Sequence, residues 1–291
     1  MGKISVNDGI KKTNYHMHTR YCDGSSDVAQ MAQAAFDCGM SDIGFSGHAM
    51  IPFSSDWHMN IRNYESYCKD VQEAKKQFAG KMNILCGFEA DFIPDITSPT
   101  FAEYKKYNPD FLIGSVHYVR IGNGYFEADG SFENTRKKIA QYAKGNAKKA
   151  VQAYFDAERQ MLKNPDFTFI GHCDLIRKQN SQLAPQPLFD ETASWYRKEL
   201  VLTAKAIASA GVCVEINSGA MSRGYLDNPY PSLPFLELLH QYNVPVTFAS
   251  DAHAKEHIDF AFDNACALAR NAGYKELHYL SPEGKLTSQQ I

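Results

Sequence analysis

Along the chain, short apolar runs alternate with stretches whose apolar positions recur at helical spacing. Val28, Met31, Ala32, Ala35 and Phe36 fall at i, i+3, i+4, i+7 and i+8 of an amphipathic helix, and Gly39 closes it. Residues 42–46, 83–89, 111–117, 167–172, 212–217 and 245–249 read as short buried strands. Between them, helices are predicted over 61–79, 192–210, 233–242 and 257–272. One long helix is predicted over 134–162, on the stripe Ala147, Ala150, Val151, Tyr154, Glu158 and Met161. Strand followed by helix, repeated over the whole length, predicts an α/β fold whose parallel sheet closes into a barrel. The stretches 91–109, 118–133 and 177–190 read as loops, which in a barrel cover one end. There is no internal repeat, low-complexity segment or linker.

Composition narrows the picture. With 291 residues and 44% hydrophobic content, one barrel of ~250 residues fits, as would two smaller domains. Thirty Lys and Arg against 33 Asp and Glu leave a net charge of -3, which gives no drive towards nucleic acid or anionic lipid. Seven cysteines, an odd number without a CxxC, read as free thiols in a reducing compartment. The N-terminal MGKISVNDGIKK lacks a signal-peptide core, and no apolar run nears the ~18 residues that span a bilayer. The expectation is a soluble cytoplasmic protein.

The histidines and carboxylates carry the chemistry. Six of ten histidines end or follow predicted strands: His16, His18, His48, His117, His172 and His253. Asp23, Glu89 and Asp251 share those positions. Strand C-termini of a parallel barrel converge on one face, so nine metal-competent side chains would meet in one pocket. Each fragment alone has a plainer reading: His16-Met17-His18 as a packed pair, Asp251-Ala252-His253 as an aspartate orienting a histidine. Together they need charge pairing or metal, because buried charges in such number are not left alone. Imidazole and carboxylate ligands without thiolate suit Zn, Mn or Fe. His58, His240, His257 and His278 read as surface residues, and no cysteine reads as a ligand.

At these residues the sequence resembles the polymerase and histidinol phosphatase (PHP) family of metal-dependent phosphoesterases. The resemblance rests on Tyr15-His16-Met17-His18-Thr19, Tyr21-Cys22-Asp23-Gly24, Ser46-Gly47-His48 and Gly87-Phe88-Glu89. It continues through Gly114-Ser115-Val116-His117, Gly171-His172-Cys173-Asp174, Glu215-Ile216-Asn217 and Ser250-Asp251-Ala252-His253, from residue 14 to about 260. Ser115-Val116-His117-Tyr118, Glu215-Ile216-Asn217-Ser218 and Tyr230-Pro231-Ser232 make it most similar to the stand-alone histidinol-phosphatase type.

The resemblance implies a distorted (β/α)7 barrel forming a single domain over 13–291, behind an N-terminal arm of 1–12. It also implies a trinuclear centre of three divalent transition-metal ions. The first ion would take His16, His18, Glu89 and Asp251. Glu89 would bridge to a second ion on His117 and His172, and Asp23, His48 and His253 would hold the third. The implied activity is hydrolysis of a small phosphate monoester, L-histidinol phosphate, by metal-activated hydroxide, a step of histidine biosynthesis. Arg177, five residues past His172, is the first choice for a phosphate clamp and Arg223 the second, because a guanidinium binds two phosphoryl oxygens at once. Tyr118 is a candidate to stack on a substrate imidazole, and Trp57 reads as packing. The alternative is a phosphodiesterase or nucleotide phosphatase acting on nucleic-acid fragments. That reading needs an open basic groove with stacking residues, which the charge balance and covering loops disfavour. An amidohydrolase-like enzyme often uses a carboxylated lysine, and no lysine follows a strand as an obvious candidate. A scaffold without metal is the remaining reading. Oligomeric state stays open.

Overall fold

Strands buried on both faces need helices outside and side chains inside, and that demand sets the architecture. The structure, a computed structural model, describes residues 9–53 and 55–291. In chain order it runs β1 (Lys12–Asn14), α1 (Val28–Asp37), β2 (Met40–Phe45), α2 (Tyr64–Gln77), β3 (Asn83–Asp91), α3 (Phe101–Tyr104) and β4 (Phe111–Ser115). Then come β5 (Tyr118–Ile121), β6 (Gly124–Glu127), α4 (Phe132–Ala143), α5 (Ala147–Met161), β7 (Phe169–Ile170), α6 (Ser194–Ala210), β8 (Cys213–Asn217) and α7 (Gly219–Ser222). The chain ends with α8 (Leu233–Gln241), β9 (Val246–Ala249), α9 (Phe262–Asn271), β10 (Glu276–Leu280) and β11 (Leu286–Gln290).

Seven strands form one parallel sheet in the order β1-β2-β3-β4-β7-β8-β9. The sheet curls until β1 and β9 meet, as expected for a (β/α)7 barrel. The seam is short: Met17 and Ala252 form one parallel bridge, with His18 N–H donating to Ala252 O at 2.9 Å. Asn14 completes it. Its amide donates to Ser250 Oγ (2.6 Å) and Ile258 O (3.0 Å), while its Oδ1 accepts from Ser250 N at 3.1 Å.

The barrel is filled by Tyr15, Leu85, Phe111, Ile113, Phe169, Cys213 and Leu280. Tyr15 stacks on Phe169 at 5.4 Å, and its hydroxyl accepts from Leu280 N at 2.9 Å. The β10–β11 hairpin thus closes the end where the strands begin, leaving the C-terminal ends for the site. At Gly87 a side chain has no room, since a Cβ there would lie 2.6 Å from the Phe111 ring. Outside, α1 starts on a capping box, with Asp27 accepting from Gln30 N and Gln30 reaching back, and buries Val28, Met31, Ala32 and Ala35.

Several expectations change, and α3 already lies inside the loop expected over 91–109. The helix predicted over 134–162 is two, α4 and α5. Lys144 and Gly145 turn left-handed between them, and Asn146 restarts the helix by accepting from Lys149 N. The loop expected over 118–133 contains the antiparallel hairpin β5–β6, with Tyr118 opposite Glu127. The last helix starts at Phe262, after a single tight turn over Lys255–His257. Of the expected N-terminal arm, residues 1–8 lie outside the described residues, and Lys12 already pairs with Met40 in the sheet. Among the described residues no helix is long and apolar enough to cross a membrane.

Candidate metal centre

Eight of the nine candidate side chains are delivered at or just past a strand's C-terminal end, and Asp23 by the turn between β1 and α1. His16 and His18 follow β1 and share one face, with Met17 between them in the core, because strand side chains alternate. His48 follows β2, Glu89 lies within β3, His117 follows β4, His172 follows β7, and Asp251 and His253 follow β9. Asp251 adopts φ 50°, a left-handed conformation that aspartate tolerates better than most residues. A Cβ on Gly219 would collide with the Asp251 carboxylate, so glycine is required beneath it.

All nine side chains named from the sequence converge. Glu89 is central: Oε2 lies 2.8 Å from His48 Nδ1, 3.2 Å from His16 Nε2 and 3.6 Å from His18 Nε2. Its other oxygen lies 3.0 Å from His172 Nε2 and 3.5 Å from His117 Nε2, and accepts from Ser115 Oγ at 2.7 Å. Asp251 Oδ1 lies 3.2 Å from His18 Nε2, and Asp23 Oδ2 lies 3.2 Å from His253 Nε2. Four groups of ligand atoms result: His18, Asp23, His48 and His253; His16, His18 and Asp251; His16, Glu89 and His172; His48, Glu89 and His117. The grouping differs in detail from the expected partition, since His48 also reaches Glu89 and His16 groups with His172.

The residues fit divalent metal. His16 Nε2, His18 Nε2, His48 Nδ1 and Glu89 Oε2 are buried without a hydrogen-bond partner, and all face one another. Such groups require a cation or a shared proton. Burial alone would raise Glu89, but His48, His16 and His117 overcome it and hold the carboxyl well below its usual range. Burial likewise opposes charge on Asp251, and Arg223 and His16 reverse it. His18 moves the other way: burial, then His253 and His48, push it down to about 3.

Behind these groups stands a layer of acceptors that aims the imidazoles inward. His16 Nδ1 lies 2.9 Å from Glu215 Oε2, and His117 Nδ1 lies 2.8 Å from Asp91 Oδ1. Sequence reasoning placed neither carboxylate. Two signals were present: Glu215 interrupts an apolar strand, and Asp91 lies two residues past Glu89 on the same strand face. His58 is not at the surface as expected. Its side chain is 2% exposed and its Nε2 lies 2.7 Å from Asp91 Oδ2.

A cleft of about 310 Å³ opens over the centre, walled by Trp57, Tyr225, Arg223, Lys178, Glu127 and Asp129. Arg223 donates to Asp251 Oδ2 at 3.1 Å and keeps about a third of its side chain (34%) in solvent. Arg177 is elsewhere. It is buried, donates to Glu191 Oε2 at 2.9 Å and Pro229 O at 3.4 Å, and lies 3.7 Å from Asp174. Its guanidinium is held by these internal partners and does not line the cleft. Tyr118 also stands back, stacked on Trp57 at 5.7 Å. Trp57 itself meets His48 edge-on at 4.6 Å.

The PHP domain family model matches residues 14–219. The histidinol-phosphatase of Bacillus subtilis is 26% identical over 270 residues, 87% of this chain and 98% of the relative. A histidinol phosphatase candidate from Listeria monocytogenes superposes with a TM-score of 0.76 at 20% identity, covering 87% of this chain and 99% of that one. The Lactococcus lactis histidinol phosphate phosphatase, solved with zinc, L-histidinol and phosphate, gives 0.69 at 21% identity, covering 95% and 99%.

Proposed function

We propose that this chain, which belongs to the PHP domain family, is a metal-dependent phosphatase of small phosphate monoesters whose substrate is L-histidinol phosphate. The observation that carries the reading is the set of unpartnered imidazole and carboxylate atoms gathered around Glu89 at the floor of one cleft. The relatives of nearly equal length with that activity support the substrate.

His16, His18, Asp23, His48, Glu89, His117, His172, Asp251 and His253 would hold three divalent ions of the Zn, Mn or Fe type. When bound, such ions supply Lewis acidity towards phosphoryl oxygens and a water acidic enough to lose its proton near neutral pH. The chain's own residues do the rest. Arg223, fixed by the carboxylate and main-chain oxygen of Asp251 and lying 3.1 Å from His253 Nδ1, brings its positive charge and its remaining N–H groups to phosphoryl oxygens where charge accumulates. Lys178, held by Asp129 O at 2.5 Å and lying 4.4 Å over the Tyr225 ring, adds a second cation. Trp57 and Tyr225 supply aromatic wall against which an imidazole can pack. The Asp129 carboxylate has no hydrogen-bond or ion-pair partner among the described residues, and so is available to an ammonium group. A cleft this small, with Glu127 and Asp129 on its wall, is unsuited to a polyanionic strand, which weighs against the nucleic-acid alternative.

The test is phosphate release by metal-loaded protein from L-histidinol phosphate, nucleotides and short oligonucleotides, with elemental analysis of the same sample. Preferential turnover of L-histidinol phosphate with bound divalent metal is expected. Faster turnover of oligonucleotides, or no bound metal, would overturn the reading.

A further inference from the structure

His58, unremarkable in sequence, stands in a continuous chain of hydrogen bonds that ends on the metal centre. Ser55 Oγ lies 2.8 Å from His58 Nδ1, His58 Nε2 lies 2.7 Å from Asp91 Oδ2, and Asp91 Oδ1 lies 2.8 Å from His117 Nδ1. The partners dictate the protons. An ionised carboxylate only accepts, so both histidines donate to Asp91. His58 then carries its proton on Nε2, and its Nδ1 accepts from the Ser55 hydroxyl. His117 carries its proton on Nδ1, and its Nε2 lone pair faces the pocket, 3.5 Å from Glu89 Oε1. The same chain fixes the ring planes. Asp91 is buried and accepts at both oxygens, so it cannot rotate without breaking one bond. His58 is clamped by Trp57, whose ring centroid is 3.7 Å away.

We propose that Ser55, His58 and Asp91 form a positioning relay that sets the tautomer and orientation of His117, and that His58 ties this ligand to the Trp57 wall of the cleft. The inference rests on the metal role proposed for His117. His58 and Asp91 touch neither substrate nor metal in this scheme; they are positioning residues. Trp57 lies edge-on to His117 at 5.2 Å, so the residue pair Trp57-His58 supports one imidazole from two directions. A relay of this kind raises ligand basicity and lowers the cost of ordering the ring when metal binds.

The experiment is metal affinity, measured by competition with a chelator using Zn2+ or Mn2+ alone, beside steady-state kinetics at saturating metal. His58→Ala should weaken the affinity of one ion by roughly 10- to 100-fold, and added metal should restore most of the activity. In His58→Gln an amide N–H can still donate to Asp91, so most of the affinity should return. The His58→Ala/Asp91→Asn pair should be no weaker than Asp91→Asn alone, because both act through one bond chain. If His58→Ala fails to fold, Ser55→Ala removes only the terminal hydroxyl and should show a smaller loss in the same direction. Wild-type metal affinity in a folded His58→Ala variant, or additive losses in the pair, would overturn the relay while leaving the proposed activity intact. A wild-type protein that binds no metal would overturn both.

Discussion

Two arginines show how much a residue's partners decide its role. Arg177 faces Asp174 and Glu191, one wholly buried and the other partly so, and does not line the cleft. Arg177→Ala should therefore act on stability, leaving two carboxylates without their cation at a cost of about 3 kcal/mol or more. Thermal and urea unfolding would read that loss, while KM of the folded fraction stays close to wild type. Arg223 is the opposite case: Asp251 and His253 hold its terminal nitrogens at the cleft wall, and about a third of the side chain (34%) stays in solvent. Arg223→Ala should lower kcat/KM by roughly 2–4 kcal/mol with a small change in melting temperature, and Arg223→Lys should recover only part. The reverse pattern, a silent Arg223→Ala and a KM defect in Arg177→Ala, would return the phosphate contact to Arg177. Glu89 is more central than either, because five imidazoles crowd its two oxygens. Glu89→Gln keeps the shape and removes the charge, so metal content should fall and kcat should drop roughly 100-fold or more. Unchanged stoichiometry by elemental analysis would contradict a bridging role.

At the scale of elements, the sequence was most readable where local pattern and tertiary demand agree. Six barrel strands and the helices α1, α2, α6 and α8 stand close to where the pattern puts them, because each strand is a short run buried on both faces and each helix carries one buried face. The nine candidate ligands were legible for a related reason: strand ends converge in a parallel barrel, so position along the chain translates into position in space. What was not legible depends on contacts between distant segments. The break between α4 and α5 lies inside one continuous apolar stripe, and only Lys144-Gly145-Asn146 marks it. Hairpins β5–β6 and β10–β11 are built from strands of four or five residues and are held by the helices and strand they cover. His58 has no local signal, since its partners are a serine three residues back and an aspartate on another element. Glu158 was read correctly as part of the buried stripe of α5, but its consequence is electrostatic. Burial pushes its carboxyl up to about 8, with only Tyr154 donating to it at 2.7 Å as the main offset. Below the unfolded value of 4.5 both states hold the proton and the stabilising effect is fully present. Between 4.5 and about 8 the unfolded chain releases the proton and the helix keeps it, so stability falls as pH rises, by up to about 1.4 kcal/mol per unit. Glu158→Gln should remove that slope, so its advantage over wild type in urea unfolding should grow from pH 5 to pH 8. Parallel stability curves for the two proteins would show that the carboxyl is not held protonated.

For the whole molecule, the weak point is the seam. The β3–β4 ladder pairs five residues on each strand, whereas β1 and β9 share one bridge and depend on the Asn14 side chain. Asn14 is buried and spends both ends of its amide on residues 250 and 258, which lie far away in the chain. Its removal strands Ser250 N–H and the Ile258 carbonyl, so Asn14→Ala should cost roughly 3 kcal/mol or more. The candidate metal centre crosses the same seam, because His16 and His18 come from one side and Asp251 and His253 from the other. Metal binding should therefore act as a second clasp, stabilising the folded state by mass action and by holding the two strand ends together. Chelation should lower the melting temperature, and hydrogen exchange should rise first at residues 14–18 and 249–253 while β3 and β4 stay protected. In Asn14→Ala the same chelation should release those amides faster still, since neither clasp then remains. Exchange that rises evenly around the barrel on chelation, or not at all, would mean that the seam is held by packing alone and that metal serves only the chemistry.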